Sequence, residues 1–107
     1  MKEIVKLNKD DIESFEVEIE LMGNFFKMLS DPTRLKILLF LGDDEICVND
    51  IAAGINMTKS AVSHQLALLR TARLIKNHKV GKEVYYSLAD EHVKILIEAA
   101  FEHVNEK

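Results

Sequence analysis

Near the end of the chain, Asp90, His92, His103 and Glu106 offer two imidazoles and two carboxylates. Two ring nitrogens and two carboxylate oxygens make a sound tetrahedral set for Zn(II), with Co(II) as the expected mimic. No thiolate stands among them, so soft ions such as Cu(I) are disfavoured and Cd(II) loses its usual advantage. His92 and His103 are 11 positions apart, which is roughly 16 Å along a helix. One chain cannot close both on a single ion. Two such helices packed antiparallel can, with Asp90 opposite Glu106 of the second copy and His92 opposite its His103. The paired positions sum to 196 and 195, so one two-fold axis near Ile97 and Glu98 serves both pairs. His103 and Glu106 share a helix face at i, i+3. Asp90 and His92, at i, i+2, do so only if Asp90 sits in the non-helical cap. The plain alternative is a helix end whose His and Glu side chains are simply solvated.

A second kind of chemistry is written between Thr58 and Leu74. Thr58 suits an N-cap, and Val62, Leu66 and Leu69 repeat at i, i+4, i+7 as one buried stripe. Lys59, Ser60, Ser63 and His64 lie on another face, at the end of the helix where backbone N–H groups already favour an anion. A helix with a dry back and a hydrogen-bonding front is what a reader of the DNA major groove needs. An ordinary surface helix would look similar, and this stretch alone leaves the two readings open.

The charge pattern favours the first. The net charge is −4, yet residues 54–82 hold Lys59, Arg70, Arg73, Lys76, Lys79 and Lys82 and no acid. The 53 residues before them net −6 and the 25 after them net −4. A charge run is usually a solvated face, but 29 acid-free residues in a chain with 18 acids are the footprint that phosphates would select.

The other elements follow from period and punctuation. Residues 1–10 read as a flexible arm. From Ile12, the positions Phe15, Ile19, Met22, Phe26 and Leu29 keep a helical period to Ser30. Leu21, Phe25 and Met28 widen that apolar face, as expected of a helix buried on two sides, one of them against a partner chain. Asp31-Pro32 caps a second helix, carrying Leu35, Ile37, Leu38, Leu39 and Phe40, that ends at Gly42. Asp43-Asp44-Glu45 reads as an exposed acidic loop. A short helix at Ile51–Ala53 and the turn Gly54-Ile55-Asn56 lead into the reading helix, 58–73, in helix-turn-helix order. Residues 75–79 and 83–87 have strand propensity and are joined by Val80-Gly81-Lys82 as a hairpin, so 74–88 form a wing. Asp90 caps a last helix, 90–106, with the stripe Val93, Leu96, Ile97, Ala100 and Val104. The expected fold is mainly α with a β-hairpin wing, a winged helix-turn-helix over 1–107 as a single domain, dimeric through its N- and C-terminal helices.

Composition narrows the function classes. No apolar run is long enough to span a bilayer, and Met1-Lys2-Glu3 does not open a signal peptide, so the expected compartment is the cytoplasm. Cys47 is the only cysteine, which excludes an intrachain disulfide and any CxxC zinc site. It reads as a small buried hydrophobe. An enzyme such as a zinc hydrolase needs an open metal position and a general base. Four protein ligands close the site, and no nucleophile–base pair is evident.

Three segments resemble the ArsR/SmtB family of metal-sensing repressors: Leu29-Ser30-Asp31-Pro32-Thr33-Arg34-Leu35-Lys36-Ile37-Leu38, Ile46-Cys47-Val48-Asn49-Asp50-Ile51-Ala52 and Ser60-Ala61-Val62-Ser63-His64-Gln65-Leu66. The run Val84-Tyr85-Tyr86-Ser87-Leu88 also fits. The resemblance implies a homodimer that leaves its operator DNA when an inducer binds. One family site uses Cys-x-Cys before the reading helix; here Val48-Asn49 follow Cys47, and residues 1–24 hold no Cys or His. The quartet Asp90, His92, His103 and Glu106 resembles the family's zinc site between last helices. The implied roles are phosphate contacts for Lys59, Arg70, Lys79 and Lys82, and base contacts for Ser60, Ser63, His64 and Gln65. His78 reads as exposed. The expected partners are operator duplex and a second copy, with no membrane and no small-molecule substrate. A metal-independent regulator or protein-interaction module, using the last helix only to dimerise, is the alternative. For His103, whose second ring nitrogen would need an acceptor, the expected acceptor is backbone near residues 72–74.

Overall fold

The computed structural model describes residues 6–106. Nine elements follow in the order α1 (Lys9–Ser14), α2 (Glu16–Leu29), α3 (Pro32–Leu41), β1 (Ile46–Cys47), α4 (Val48–Gly54), α5 (Lys59–Thr71), β2 (Ile75–Val80), β3 (Glu83–Leu88) and α6 (Glu91–Val104). The winged helix-turn-helix is thus present, with α4 and α5 as its helix pair and β2–β3 as the wing.

The N-terminal region differs from the sequence expectation. Residues 1–5 of the expected arm lie outside the described residues, and Lys9 and Asp10 are already helical. Asn8 is the reason: its side chain accepts from the Asp11 N–H while the Asp11 carboxylate takes the Asn8 N–H, a reciprocal box that satisfies two orphan donors. Phe15 (φ −103°, ψ 21°) then separates α1 from α2 where periodicity reads one helix. No proline or glycine marks that break.

α3 starts as its cap predicts, with Asp31 Oδ2 accepting from the Arg34 N–H at 3.0 Å. It buries Ile37, Leu38 and Leu41, whereas Leu39 and Phe40, expected inside, are exposed. The Phe40 ring lies over Gly54 so closely that a Cβ there would meet it at 2.1 Å. α4 begins at Val48, three residues ahead of the expected start. Asn56, at φ 56°, turns the chain from α4 into α5. Asn tolerates that left-handed conformation better than most residues.

α5 ends in a full Schellman turn, with the Leu74 N–H on the Leu69 carbonyl and the Arg73 N–H on the Arg70 carbonyl, both at 3.0 Å. Arg73 fills the left-handed position at φ 62°, where glycine is usual. Leu69 and Leu74 are fully buried beneath this turn.

The sheet has three strands, in the order β1-β3-β2. β1 is an addition to the sequence reading; at two residues it is too short to carry an alternation signal. Val80 pairs with Glu83, so the wing closes on Gly81-Lys82 alone. Gly81 takes φ 62°, as the first position of a type II′ turn requires.

One core joins Ile37, Leu38 and Leu41 of α3, Ile51 of α4, Val62, Leu66 and Leu69 of α5, Leu74 and Ile75 at the wing root, and Val93 and Ile97 of α6. α1 and α2 bury nothing completely: Phe15, Val17, Ile19, Leu21, Met22 and Phe26 are all exposed. The radius of gyration is 16.0 Å, against about 13 Å for a compact chain of this length.

Candidate nucleic-acid interface and metal half-sites

The reading helix is fixed from behind. Thr58 Oγ1 accepts from the Ala61 N–H at 3.1 Å, and Val62, Leu66 and Leu69 are 0%, 1% and 0% exposed. At 3.6 residues per turn, the exposed positions Lys59, Ser60, Ser63, His64, Ala67, Arg70 and Thr71 form one outward arc. Lys59 begins the arc beside the free N–H groups of the first turn, and Arg70 ends it in the last turn. Lys79 and Lys82 are exposed on the wing. Ala67 and Thr71 belong to this arc and were missed because neither is basic nor a usual base reader. Counting positions from Ser63 by three and four would have found them.

Gln65 is half-buried. It lies at the flank of the buried stripe and turns toward α3, where its Oε1 accepts from Arg34 Nε at 3.0 Å. That bond ties the amide to α3, and Gln65 would have to turn from it to present its whole amide edge to adenine. The geometry makes it a brace between α3 and α5. His78 is also more than exposed. Its Nδ1 lies 2.9 Å from Glu45 Oε2, and its ring stacks on Tyr85 with centroids 6.1 Å apart.

The ligand-type residues stand as two pairs at the two ends of α6. Asp90 is the N-cap, extended at φ −161°, and its Oδ1 accepts from the Val93 N–H at 3.0 Å. The Oδ2 atom is left to turn outward. His92 Nδ1 lies 3.8 Å from Asp90 Oδ1. At the far end, His103 Nδ1 lies 3.5 Å from Glu106 Oε1. Glu106 stands just past the helix, in a last turn tightened by its own N–H on the His103 carbonyl at 3.2 Å. The His92 and His103 side chains are 95% and 82% exposed. Among the described residues of one chain, no three His, Cys, Asp or Glu side chains come together to hold a metal. Within α6, His92, Leu96, Ala99 and His103 fall on one stripe, flanked by Asp90 in the N-cap and Glu106 just past the C-cap.

The Asp90–His92 end opens on a cleft of about 440 Å³ whose walls include Ala72, Arg73, Met22, Phe26 and Leu96. This is where the reading helix meets the wing. His103 of the same chain lies at the other end of α6, so no contact between it and residues 72–74 forms within one chain. Cys47 is buried and free, at the N-cap of α4. On the opposite flank of α6, Lys94 Nζ lies 2.5 Å from Asp43 Oδ1. The hydrogen bond to Asp43 raises the Lys94 pKa above its ordinary 10.5, against an opposing desolvation.

The model of the arsR family of bacterial regulatory proteins matches residues 31–77. Over 106 residues the chain is 42% identical to a cadmium resistance transcriptional regulatory protein CadC homolog of Staphylococcus aureus, an alignment covering 98% of this chain and 79% of that one. The chain belongs to the ArsR family. It is also 48% identical over 85 residues to a transcriptional repressor SmtB homolog of Synechocystis, covering 79% of this chain and 64% of the relative, so it spans just under two thirds of that protein. In backbone it resembles the homodimeric winged helix-turn-helix DNA-binding domain Mb0332 of Mycobacterium bovis, with a TM-score of 0.81 at 23% identity over 96% of this chain and 92% of that one. The ArsR family is one of regulatory proteins rather than enzymes. Among the described residues no helix is long and apolar enough to cross a membrane.

Proposed function

We propose that this ArsR-family chain is a metal-responsive transcriptional repressor of the cytoplasm. As a homodimer it binds an inverted-repeat operator, and Zn(II) held between the two α6 helices releases it. The observation that carries the reading is the stripe on α6. Two ligand pairs sit at the two ends of α6, with His92 and His103 on one stripe and half-buried Leu96 and exposed Ala99 between them. Small and apolar residues at the middle let two such helices approach closely, and antiparallel packing brings each pair to the other copy's complementary pair.

The donors suit the ion. Two imidazoles and two carboxylates are present, both rings are free to turn, and Asp90 keeps Oδ2 after capping α6. Bound there, Zn(II) would supply a crosslink between the helices. The chain supplies the rest. Exposed apolar side chains on α2 and α6, including Phe26, Phe101 and Val104, and a radius of gyration well above the compact value support a dimer built on those helices. Lys59, Arg70, Lys79 and Lys82 neutralise phosphate, and Ser60, Ser63 and His64 reach base edges, with Gln65 bracing α5 from behind. The cleft beside Ala72 and Arg73 is where the second copy's His103 would meet backbone, joining the metal face to the base of the reading helix. Release requires only that the metal favour the dimer geometry that spaces the reading helices wrongly.

The test is a zinc titration of the dimer followed by operator binding at fixed salt. Zinc should weaken operator binding. Operator affinity indifferent to zinc would replace this reading with the metal-independent regulator.

A further inference from the structure

We propose that the loop Asp43-Asp44-Glu45 is a strap tying the metal helix α6 to the wing, with Asp43 and Glu45 as positioning residues for metal-driven release. The inference rests on the repressor reading above. The loop is three residues long and anchored at both ends. Before it, Gly42 closes α3 at φ 51° with its N–H on the Leu38 carbonyl, and the Asp44 N–H binds the Leu41 carbonyl at 2.8 Å. After it, Ile46 pairs with Tyr86 in the sheet. A loop so held moves with the core rather than with solvent.

Its two outer carboxylates point to different elements. Asp43 takes Lys94, one turn into α6, at 2.5 Å. The Lys94 side chain is only 25% exposed; its other carboxylate contact, Glu98 Oε1 one turn on, is longer at 4.0 Å, so Asp43 is the nearer partner. Glu45 reaches past β3 to β2 and takes His78 at 2.9 Å. His78 is placed in turn by Tyr85, its cross-strand partner, on which it stacks. Tyr85 pairs on its other side with Cys47 of β1, so β1, β3 and β2 are level at this point. Loop, wing root and the start of α6 enclose a polar cleft of about 290 Å³ that also exposes the cap residue Asp90. A shift of α6 that accompanies metal binding is therefore passed to the wing through Lys94–Asp43 and Glu45–His78. This route runs on the other side of Asp90 from the cleft at Ala72 and Arg73, which Asp90 also lines.

The experiment uses the full-length dimer, zinc chloride, and the inverted repeat that wild type selects from a random duplex pool. For wild type, Asp43→Asn, Glu45→Gln, Lys94→Gln and the conservative Lys94→Arg, three quantities are measured: zinc affinity, metal-free operator affinity, and the ratio of operator affinities without and with saturating zinc. Asp43→Asn and Glu45→Gln should each lower that ratio by about threefold or more, the scale of such coupling changes. Zinc affinity and metal-free operator affinity should stay within about twofold. Asp43→Asn combined with Lys94→Gln should lose no more than Lys94→Gln alone, because the Lys94 change already cuts the Asp43 contact along with the longer one to Glu98, and Lys94→Arg should keep the wild-type ratio. A merely structural contact would instead lower thermal stability and leave the ratio unchanged, which overturns the proposal. So does a loss confined to zinc affinity, which would place the effect on Asp90 itself. Wild type indifferent to zinc would overturn the repressor reading and the strap together; normal release by wild type and every variant overturns the strap alone.

Discussion

Asp90 is asked to do two things at once, and a pair of substitutions separates them. It caps α6 through Oδ1 on the Val93 N–H at 3.0 Å, and in the proposed site it gives a carboxylate to metal. Asp90→Ala removes both. Asp90→Ser keeps a capping oxygen but no carboxylate. Loss of a cap to alanine costs about 1 kcal/mol, worth roughly 4–8 °C in Tm for a domain near this size. Metal-free Asp90→Ala should therefore melt several degrees below wild type, and metal-free Asp90→Ser close to it. Zinc should widen the gap between wild type and both variants while keeping their order. At free zinc a hundred times the wild-type Kd, binding stabilises the native state by about 2.7 kcal/mol per site, and the dimer has two such sites. If loss of the carboxylate raises Kd a hundredfold, the same zinc adds only RT ln 2, about 0.4 kcal/mol per site, to either variant. The assay is thermal denaturation at fixed protomer concentration, with and without buffered zinc. Asp90→Ser with a wild-type zinc increment would refute the ligand role. Asp90→Ser melting as low as Asp90→Ala without metal would refute the cap.

Three further outcomes follow from the described geometry. Lys82→Ala, at the wing tip, should weaken specific and non-specific DNA alike and flatten the slope of log affinity against log salt by about 1, since one phosphate contact is lost; a selective loss of sequence preference would show that the wing reads bases. Gln65→Ala should cost about 1 kcal/mol of stability through its hydrogen bond to Arg34 and leave base preference intact, which operator selection with the variant would check. Gly54→Ala would set a methyl 2.1 Å from the Phe40 ring and should destabilise by about 1–3 kcal/mol, the usual cost of overpacking; urea unfolding of Gly54→Ala with Phe40→Ala should recover most of the loss, and no recovery would show that the ring swings clear.

Caps, stripes and turns were legible along the chain because each is a local matter. Asp31, Thr58 and Asp90 cap the helices their side-chain chemistry predicts. Val62, Leu66 and Leu69 are buried where the helical period puts them, and Gly81 supplies the turn that only a flexible residue makes cheaply. The acid-free segment maps onto the arc of α5 and the wing. The local box at Asn8 was equally readable and was passed over because the residues before it look like a polar tail. What the tertiary structure alone decided depends on neighbours distant in sequence. β1 exists because Tyr85 and Tyr86 are there to pair with it. Gln65 meets Arg34, 31 positions away, across the space between α3 and α5. Leu39 and Phe40 are exposed because one helix face cannot bury five large side chains in a core this small. His78 meets Glu45, and Lys94 meets Asp43, only because the sheet and α6 close around one short loop. Pairing, packing and charge contact across tens of residues leave no periodic trace in a single chain, whereas a cap or a stripe is complete within four or five residues of itself.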